Sequence, residues 1–296
     1  MNDQDEAAAE FQQHRPRLLG TAYRLLGSAW DAEDVVEEAA IRWLQADRST
    51  VRKPIAFLTT VVSRLALDQL RSAQSRREAY YGPWLPEPVL TDNARLGPLE
   101  TVEQRESMSL ATLRLMEQLS PPERAVFVLR TAFDIPYDEI ATVLDISPDN
   151  ARQLLHRAQT RLAEGHNRFQ ADTADHTALF ERFLAATAGG DLGALQQLLA
   201  EDVVAYNDGG GKVRAALQPI IGSRHVLRFI TGLVDRYTID GSLLFVEANG
   251  HPAVIMSMGG QRQLVAIGAR QGRITEIFAV INPEKLTYTD RQLQLC

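Results

Sequence analysis

The sequence predicts a multidomain chain: two all-α helical units followed by an α+β unit. Three observations carry that expectation. Apolar residues recur at helical spacing through residues 8–75 and again through 106–166. Residues 76–105 between them hold Pro83, Pro86, Pro88, Gly97 and Pro98, which reads as a linker. From about Asp172 the texture changes to two helical patterns and then short alternating runs punctuated by glycine, an α+β order. The third unit is therefore placed at 172–286. The polar tail, 287–296, is expected to be loosely held.

In the first unit, Phe11, Leu18, Leu19, Ala22, Leu25 and Leu26 share a helical stripe. Gly27-Ser28 breaks that helix. Asp31-Ala32-Glu33-Asp34 starts the next, with carboxylates at its positive dipole end. The second helix carries Val35, Val36, Ala39, Ile41, Trp43 and Leu44 as its apolar residues. Pro54 opens a third, with Phe57, Leu58, Val61, Val62, Leu65, Ala66 and Leu70.

The second unit ends in two short helices joined by a tight turn. Ile140, Ala141 and Leu144 make the inward stripe of the first helix, and Asp145-Ile146-Ser147 the turn, with Ile146 as its buried pin. Ser147 is a good N-cap and Pro148 a good first helical residue. Ala151, Leu154, Leu155 and Ala158 then face inward, leaving Arg152, Gln153, His156, Arg157 and Arg161 outside. This is the helix-turn-helix layout, whose second helix enters the major groove; a helical hairpin in a bundle gives the same pattern.

The third unit begins with helices at Thr177–Ala188 and Leu192–Leu199. Strand-like runs follow at Val203–Tyr206, Gly241–Ala248, Ala253–Met258, Gln263–Gly268 and Ile274–Val280.

Composition narrows the function classes. Cys296 is the sole cysteine, which excludes an internal disulfide and a Cys-based zinc site. No run of 18 apolar residues exists, so no membrane association is expected. The acidic start MNDQDEAAAEF is unlike a secretion signal, which points to the cytoplasm. The net charge of -7 conceals a segregation: between Arg48 and Arg77 seven basic residues face one acidic one, Asp68, a local balance of 7 − 1 = +6. Such a basic stripe suits phosphate contact. Just upstream, Asp31, Glu33, Asp34, Glu37 and Glu38 form an acidic face.

Taken in order, these segments resemble the bacterial extracytoplasmic-function sigma factors. DAEDVVEEAAIRW (31–43) is similar to their region 2.2, PIAFLTTVVSRLALDQLR (54–71) to regions 2.3 and 2.4, and the stretch from Leu119 to Leu162 to region 4. LPEP in the linker, DGGGK at 208–212 and NPEKL at 282–286 resemble the motifs of those members that carry a C-terminal SnoaL-like domain of NTF2-like fold, a curved sheet wrapped by helices into a cone. The resemblance implies a promoter-specificity subunit of RNA polymerase. Asp31, Asp34, Glu37 and Glu38 would dock on the β′ coiled coil, with the β flap as a further contact. The 54–71 helix would open the −10 element, and region 4 would read −35. It implies no cofactor, no metal, no catalytic residue and no separate anti-sigma protein, with cis regulation by a C-terminal cone that has room for a small ligand.

The physical roles follow from residue type. Arg64, Asp68 and Arg71 lie at i, i+4 and i+7 on one face. Arg64 can meet a base or phosphate, with Asp68 holding it or accepting from a base amino group; a solvated charged face is the alternative. Many members of the family carry an amide residue at the position of Arg64, which leaves the base preference there open. Arg152 can pair with guanine and Gln153 with adenine. His156 and Arg157 suit phosphate.

Trp84 and Leu85 are too apolar to leave in water, at roughly 2 kcal/mol each. With Pro86, Glu87 and Pro88 they are expected to dock on the C-terminal domain; a plain proline-stiffened spacer is the alternative. Asp208, Gly209, Gly210, Gly211 and Lys212 form a loop that either turns a strand or latches onto the linker or the Asn282-Pro283-Glu284-Lys285 segment, with Asp208 and Lys212 able to pair across it. Pro283 is read as ending a strand. Two rival functions remain: a ligand-sensing DNA-binding regulator, and a SnoaL-like cyclase or isomerase fused to a DNA-binding module, with Asp208, His225 and His251 as its acid–base candidates.

Overall fold

In the computed structural model, which describes residues 3–91, 96, 99, 101–166 and 173–294, the chain divides into two units, though not where the linker suggested. Met1–Glu78, Asn93–Met108 and Leu115–Glu164 make the first; Ala79–Asp92, Ser109–Arg114 and Gly165–Cys296 make the second. The expected separation of 8–75 from 106–166 is not drawn by this division. Both helical segments share one unit, and the Pro-rich 79–91 belongs with the C-terminal sheet. Of the expected linker, 92–95, 97–98 and 100 lie outside the described residues.

The first unit is all helical: α1 (Asp3–Leu26), α2 (Ala29–Gln45), α3 (Pro54–Glu78), α4 (Val102–Glu106), α6 (Pro121–Thr131), α7 (Tyr137–Leu144) and α8 (Pro148–His166), with α5 (Leu110–Met116) straddling the division. Ser28 caps α2, accepting from the Asp31 N–H at 3.2 Å. The expected stripes of α1 and α3 are buried at Leu18, Leu19, Leu25, Leu26, Leu58, Val62, Ala66 and Leu70. On α2, Val35, Val36, Ala39 and Trp43 are buried, but Ile41 and Leu44 face outward. They sit seven and ten residues after Asp34, on the same side of the helix as the carboxylates.

Two buried arginines explain why the helical segments share a unit. Arg24 on α1 is fully buried. It donates to Ser107 Oγ (2.8 Å), Gln104 O (3.1 Å) and Gly20 O (3.1 Å), and it lies 5.2 Å from the Phe133 ring centroid. Arg124 on α6 pairs with Glu117 and donates to Arg24 O at 3.3 Å. A buried cation is retained only where such partners replace water. Burial lowers the pKa of Arg24 to about 10.

The second unit is a six-stranded sheet in the order β2-β1-β6-β5-β4-β3. Its strands are β1 (Leu199–Asp208), β2 (Ile220–Ile221), β3 (Ile239–Ala248), β4 (His251–Met258), β5 (Gln261–Arg270) and β6 (Arg273–Val280). Only β1 and β6 run parallel; the β3-β4-β5-β6 meander is antiparallel. Helices α9 (Thr173–Ala188), α10 (Leu192–Leu198) and α11 (Ser223–Arg236) enclose a core in which Phe180, Phe183, Val226 and Ile230 meet Val203, Val254, Ile267 and Ile277.

The five expected strands are present, lengthened at their ends, and the sequence reading missed β2, α11 and α12 (Pro283–Gln294). Pro283 does not merely stop a strand; it opens α12, the position where a missing N–H costs nothing. The tail is correspondingly held rather than loose, with Leu286, Tyr288, Thr289 and Gln292 buried; residues 295–296 lie outside the described residues.

Candidate functional site

The helix-turn-helix is formed by α7 and α8. Asp145 caps α7 in a left-handed conformation (φ 55°), and the Ile146 N–H closes the turn on Ala141 O at 3.0 Å. Ser147 Oγ accepts from the Asn150 N–H at 3.2 Å, starting α8. Ile140, Ala141 and Val143 are buried, with Ala151, Leu155 and Ala158. Leu144, Leu154 and Ile146 are only half-buried, so the turn's pin is partial.

Arg152, Gln153, His156 and Arg157 all lie on the exposed face of α8. Arg152 is oriented by Asp149 (2.6 Å) and by the Tyr137 ring, 5.1 Å away. Arg161 is exposed as expected, and from that face it binds buried Glu123 at 2.5 Å. Glu123 also closes the N-terminal capping box of α6, accepting from the Ser120 N–H (2.9 Å) and Oγ–H (2.8 Å). Arg161 is thus a fastening of α8, not a free cation.

On α3, Arg64 and Asp68 do not pair. Arg64 Nε donates to Val143 O (2.9 Å) and its Nη2 to Thr142 O (2.9 Å), the last carbonyls of α7. A cation at a helix C-terminus meets both the unpaired carbonyls and the negative end of the dipole. Asp68 pairs instead with Arg71 at 3.2 Å, both exposed. Arg76 and Arg77, part of the basic stripe, have side chains outside the described residues. On α2, Asp34, Glu37 and Glu38 are exposed, Asp31 is half-buried in the first turn, and Glu38 binds Arg42 at 2.9 Å. The exposed Ile41 and Leu44 on that face were missed because their apolar character assigned them to the core.

The three short motifs meet in the second unit. Asp208, fully buried at the end of β1, accepts from Tyr80 Oη (2.6 Å) and the Leu85 N–H (2.8 Å) and binds Lys285 Nζ (2.8 Å). Its own carbonyl accepts from the N–H groups of Ile281 and Asn282, each at 2.8 Å. Lys285 Nζ also donates to Leu85 O and lies 4.6 and 4.3 Å from the ring centroids of Tyr80 and Trp84. Asn282 Nδ2 donates to Tyr80 Oη at 2.9 Å. Burial, then Asp208, pushes the Tyr80 phenol far above its ordinary range.

Asp208 and Lys212 do not pair across the loop, because Lys212 reaches Glu284 at 2.8 Å. Gly210 and Gly211 have positive φ (57° and 70°), and Gly209 is needed for contact, since a Cβ there would sit 2.8 Å from Val213 O. A Cβ on Gly210 (φ 57°) would sit 2.2 Å from Asn282 Nδ2 and 2.8 Å from Tyr80 Oη.

Leu85, Pro86 and Pro88 are buried; Trp84 and Glu87 are half-buried. Between Leu85 and Thr91 the backbone groups of Leu85, Pro88, Val89, Leu90 and Thr91 find partners. Pro88 O accepts from Thr289 Oγ1 (2.7 Å), and Leu90 exchanges two bonds with the Gln292 amide (2.8 and 3.0 Å). Val89 exchanges two with Asn249, and the Thr91 N–H reaches Glu247 O at 3.0 Å. Asn249, Thr289 and Gln292 were missed by sequence reading, since nothing local marks a residue that serves a strand about 160 to 200 positions away.

None of Asp208, His225 and His251 lines the cavity of this unit, which opens elsewhere. Among the described residues no helix is long and apolar enough to cross a membrane.

Comparison with known proteins agrees with this layout. Residues 11–76 match the Sigma-70 region 2 model, and residues 109–162 match the model described as Sigma-70, region 4. The chain is 39% identical over 290 residues to the ECF RNA polymerase sigma factor SigJ of Mycobacterium tuberculosis, covering 94% of this chain and 93% of that one. A probable ECF sigma factor, SigI, of the same species is 29% identical over 294 residues, 97% of each chain. The crystal structure of M. tuberculosis SigJ superposes with a TM-score of 0.79 at 36% identity, covering 95% of this chain and 98% of that one. The helical first unit and the mixed-sheet, NTF2-like second unit both fall within that match.

Proposed function

From the premise that the chain belongs to the extracytoplasmic-function sigma factors, subunits that bring RNA polymerase core to promoter DNA, we propose how its surfaces divide that work. The outward face of α2 docks on the β′ coiled coil of core polymerase. The observation that carries this reading is the alignment there of Asp34, Glu37 and Glu38 with exposed Ile41 and Leu44. Acidic groups steer a basic partner, and apolar groups beside them supply the area that holds it. Asp31 lies at the start of the same helix. Region 4 meets the β flap.

Arg152 and Gln153 read base edges of the −35 element from the first turns of α8, and His156 and Arg157 contact its phosphates. Arg64, Asp68 and Arg71 serve the −10 element. Because Arg64 is engaged with the carbonyls of Thr142 and Val143, that service begins only when α3 and α7 part. The resting first unit is a closed form, and polymerase binding opens it.

The node of Trp84, Leu85, Pro86, Glu87 and Pro88 with Asp208, Gly209, Gly210, Gly211, Lys212, Asn282, Pro283 and Lys285 gives the C-terminal domain its regulatory hold in cis, in place of a separate anti-sigma protein. The chain carries out no covalent chemistry and acts in the cytoplasm, where its polymerase is. The test is affinity of the full chain for core polymerase, with transcription from a cognate promoter as the second readout. Asp34→Lys with Glu37→Lys abolishes both in this reading. Undiminished core binding by that double variant overturns the assignment of α2.

A further inference from the structure

The second unit contains a cavity of about 500 Å³, in the range of small-molecule sites. It lies between one face of the sheet and helices α9 and α11, walled by Phe183, Phe229, Leu233, Met256, Val265 and Ile277. Two features of its polar lining are unusual for a packing defect. Asn207, on β1, is 5% exposed and lines the cavity, and its Nδ2 has no hydrogen-bond partner. A buried amide donor left unmade is costly and is relieved by an acceptor entering beside it. The charged lining is also one-sided: Arg214, Arg228 and Arg236 border the cavity, and among the described residues no aspartate, glutamate, lysine or histidine does.

Arg228, Gly232 and Arg236 recur at four-residue spacing along α11, so they share one side of that helix. All three are exposed while Val226 and Ile230 are buried, which sets the arginines at the mouth and Asn207 in the interior. Gly232 sits between them, and a Cβ there would meet nothing within 4 Å. The mouth is open at its centre.

We propose that this cavity binds a small organic acid. Its hydrocarbon or aromatic body fills the apolar walls, an oxygen acceptor takes the Asn207 amide proton, and its acid group rests against the guanidinium groups at the rim. Arginine suits that role, because its planar fork matches a carboxylate. Among the described residues the walls offer no carboxylate or imidazole, and the one phenol is that of Tyr237. The inference goes beyond promoter recognition and does not depend on it.

Titration of the full chain with 8-anilinonaphthalene-1-sulfonate, an anion with an apolar aromatic body, tests it directly without polymerase. Saturable one-to-one binding is expected. Decanoate should displace the dye at roughly tenfold lower concentration than decan-1-ol, which has the same chain without the charge; tenfold corresponds to about 1.4 kcal/mol. The double variant Arg228→Gln, Arg236→Gln should remove that preference. Gly232→Trp should weaken dye binding at least tenfold by narrowing the mouth, a variant chosen because a Cβ at that position meets nothing within 4 Å. Absence of saturable binding overturns the proposal, as does dye binding unaffected by Gly232→Trp. Equal displacement by decanoate and decan-1-ol overturns the acid assignment.

Discussion

Lys285 Nζ stands 2.8 Å from Asp208 Oδ2 with both side chains buried, 8% and 0% exposed. Neither group would be retained in that interior alone. The carboxylate gains two further donors, from Tyr80 and Leu85, and the ammonium gains a carbonyl and two aromatic faces. The pair therefore couples the end of β1 and the first turn of α12 to the 79–91 segment.

Lys285→Met leaves Asp208 charged and buried without its cation. A loss of about 3–5 kcal/mol in stability is expected, the usual result of breaking one side of a buried pair. Urea denaturation followed by tryptophan fluorescence measures it. Adding Asp208→Asn should recover a large share of the loss, since a neutral amide is then left in place of the charge.

Gly210→Ala should destabilise by about 2 kcal/mol, combining a left-handed backbone with a collision at Asn282 and Tyr80. Because the collision is with the groups that hold Tyr80, cleavage after Tyr80 and Tyr81 by limited chymotrypsin digestion should quicken. A melting temperature and digestion rate both unchanged would show that the loop yields freely.

Arg64→Ala removes two bonds to the end of α7. The side chain is largely exposed, so the effect on stability should be small, about 1 kcal/mol after screening. Its signature is local: faster amide hydrogen exchange in α7, with α1 and α2 unchanged. In transcription the same variant loses a candidate −10 contact while opening the resting form. Greater exchange in α7 together with weaker promoter opening would reveal both roles.

Arg152→Ala should lower affinity for the cognate −35 element by about ten- to a hundredfold, the value of a good bidentate base contact, and relax the preference at one base pair. Arg157→Ala should instead weaken binding similarly across sequences and reduce its salt dependence. Fluorescence anisotropy with promoter duplexes at several salt concentrations separates the two.

Burial raises the Glu106 carboxyl to about 7. Its folded-state pKa thus exceeds the unfolded value of about 4.3. The favourable contribution of the protonated group is complete below about pH 4.3 and is lost as pH rises towards 7. Glu106→Gln should therefore stabilise the first unit at pH 8 and change little at pH 4. His176 works in the opposite sense. Burial lowers its pKa, so the stability tied to its neutral form is present above about 6.5 and falls as pH drops through the lowered value.

Much of this was legible in the sequence because it is local. Helical spacing in α1 and α3, the Ser147-Pro148 start of α8 and the glycine-bounded strands are all set by neighbours a few positions apart. What was illegible depends on distant partners. Arg64 and Arg161 have the composition of a nucleic-acid face, yet each is engaged by residues far along the chain, Thr142 and Val143 for one and Glu123 for the other. Ile41 and Leu44 fit an apolar period but not the core. Helix α11 was missed although Val226 and Ile230 are four apart. The buried Arg24 lay inside an apolar stripe that gave no reason to look for a cation.

That cation has a consequence of its own. Titrating near pH 10, Arg24 remains ionised throughout the range in which a cell lives, yet the groups it grips are a hydroxyl and two carbonyls. What fastens these stretches is therefore the shape of a fork with several prongs, and not an exchange of opposite charges. A lysine would keep the charge and lose the reach, so the most conservative replacement at position 24 would unfasten the helices about as surely as an alanine.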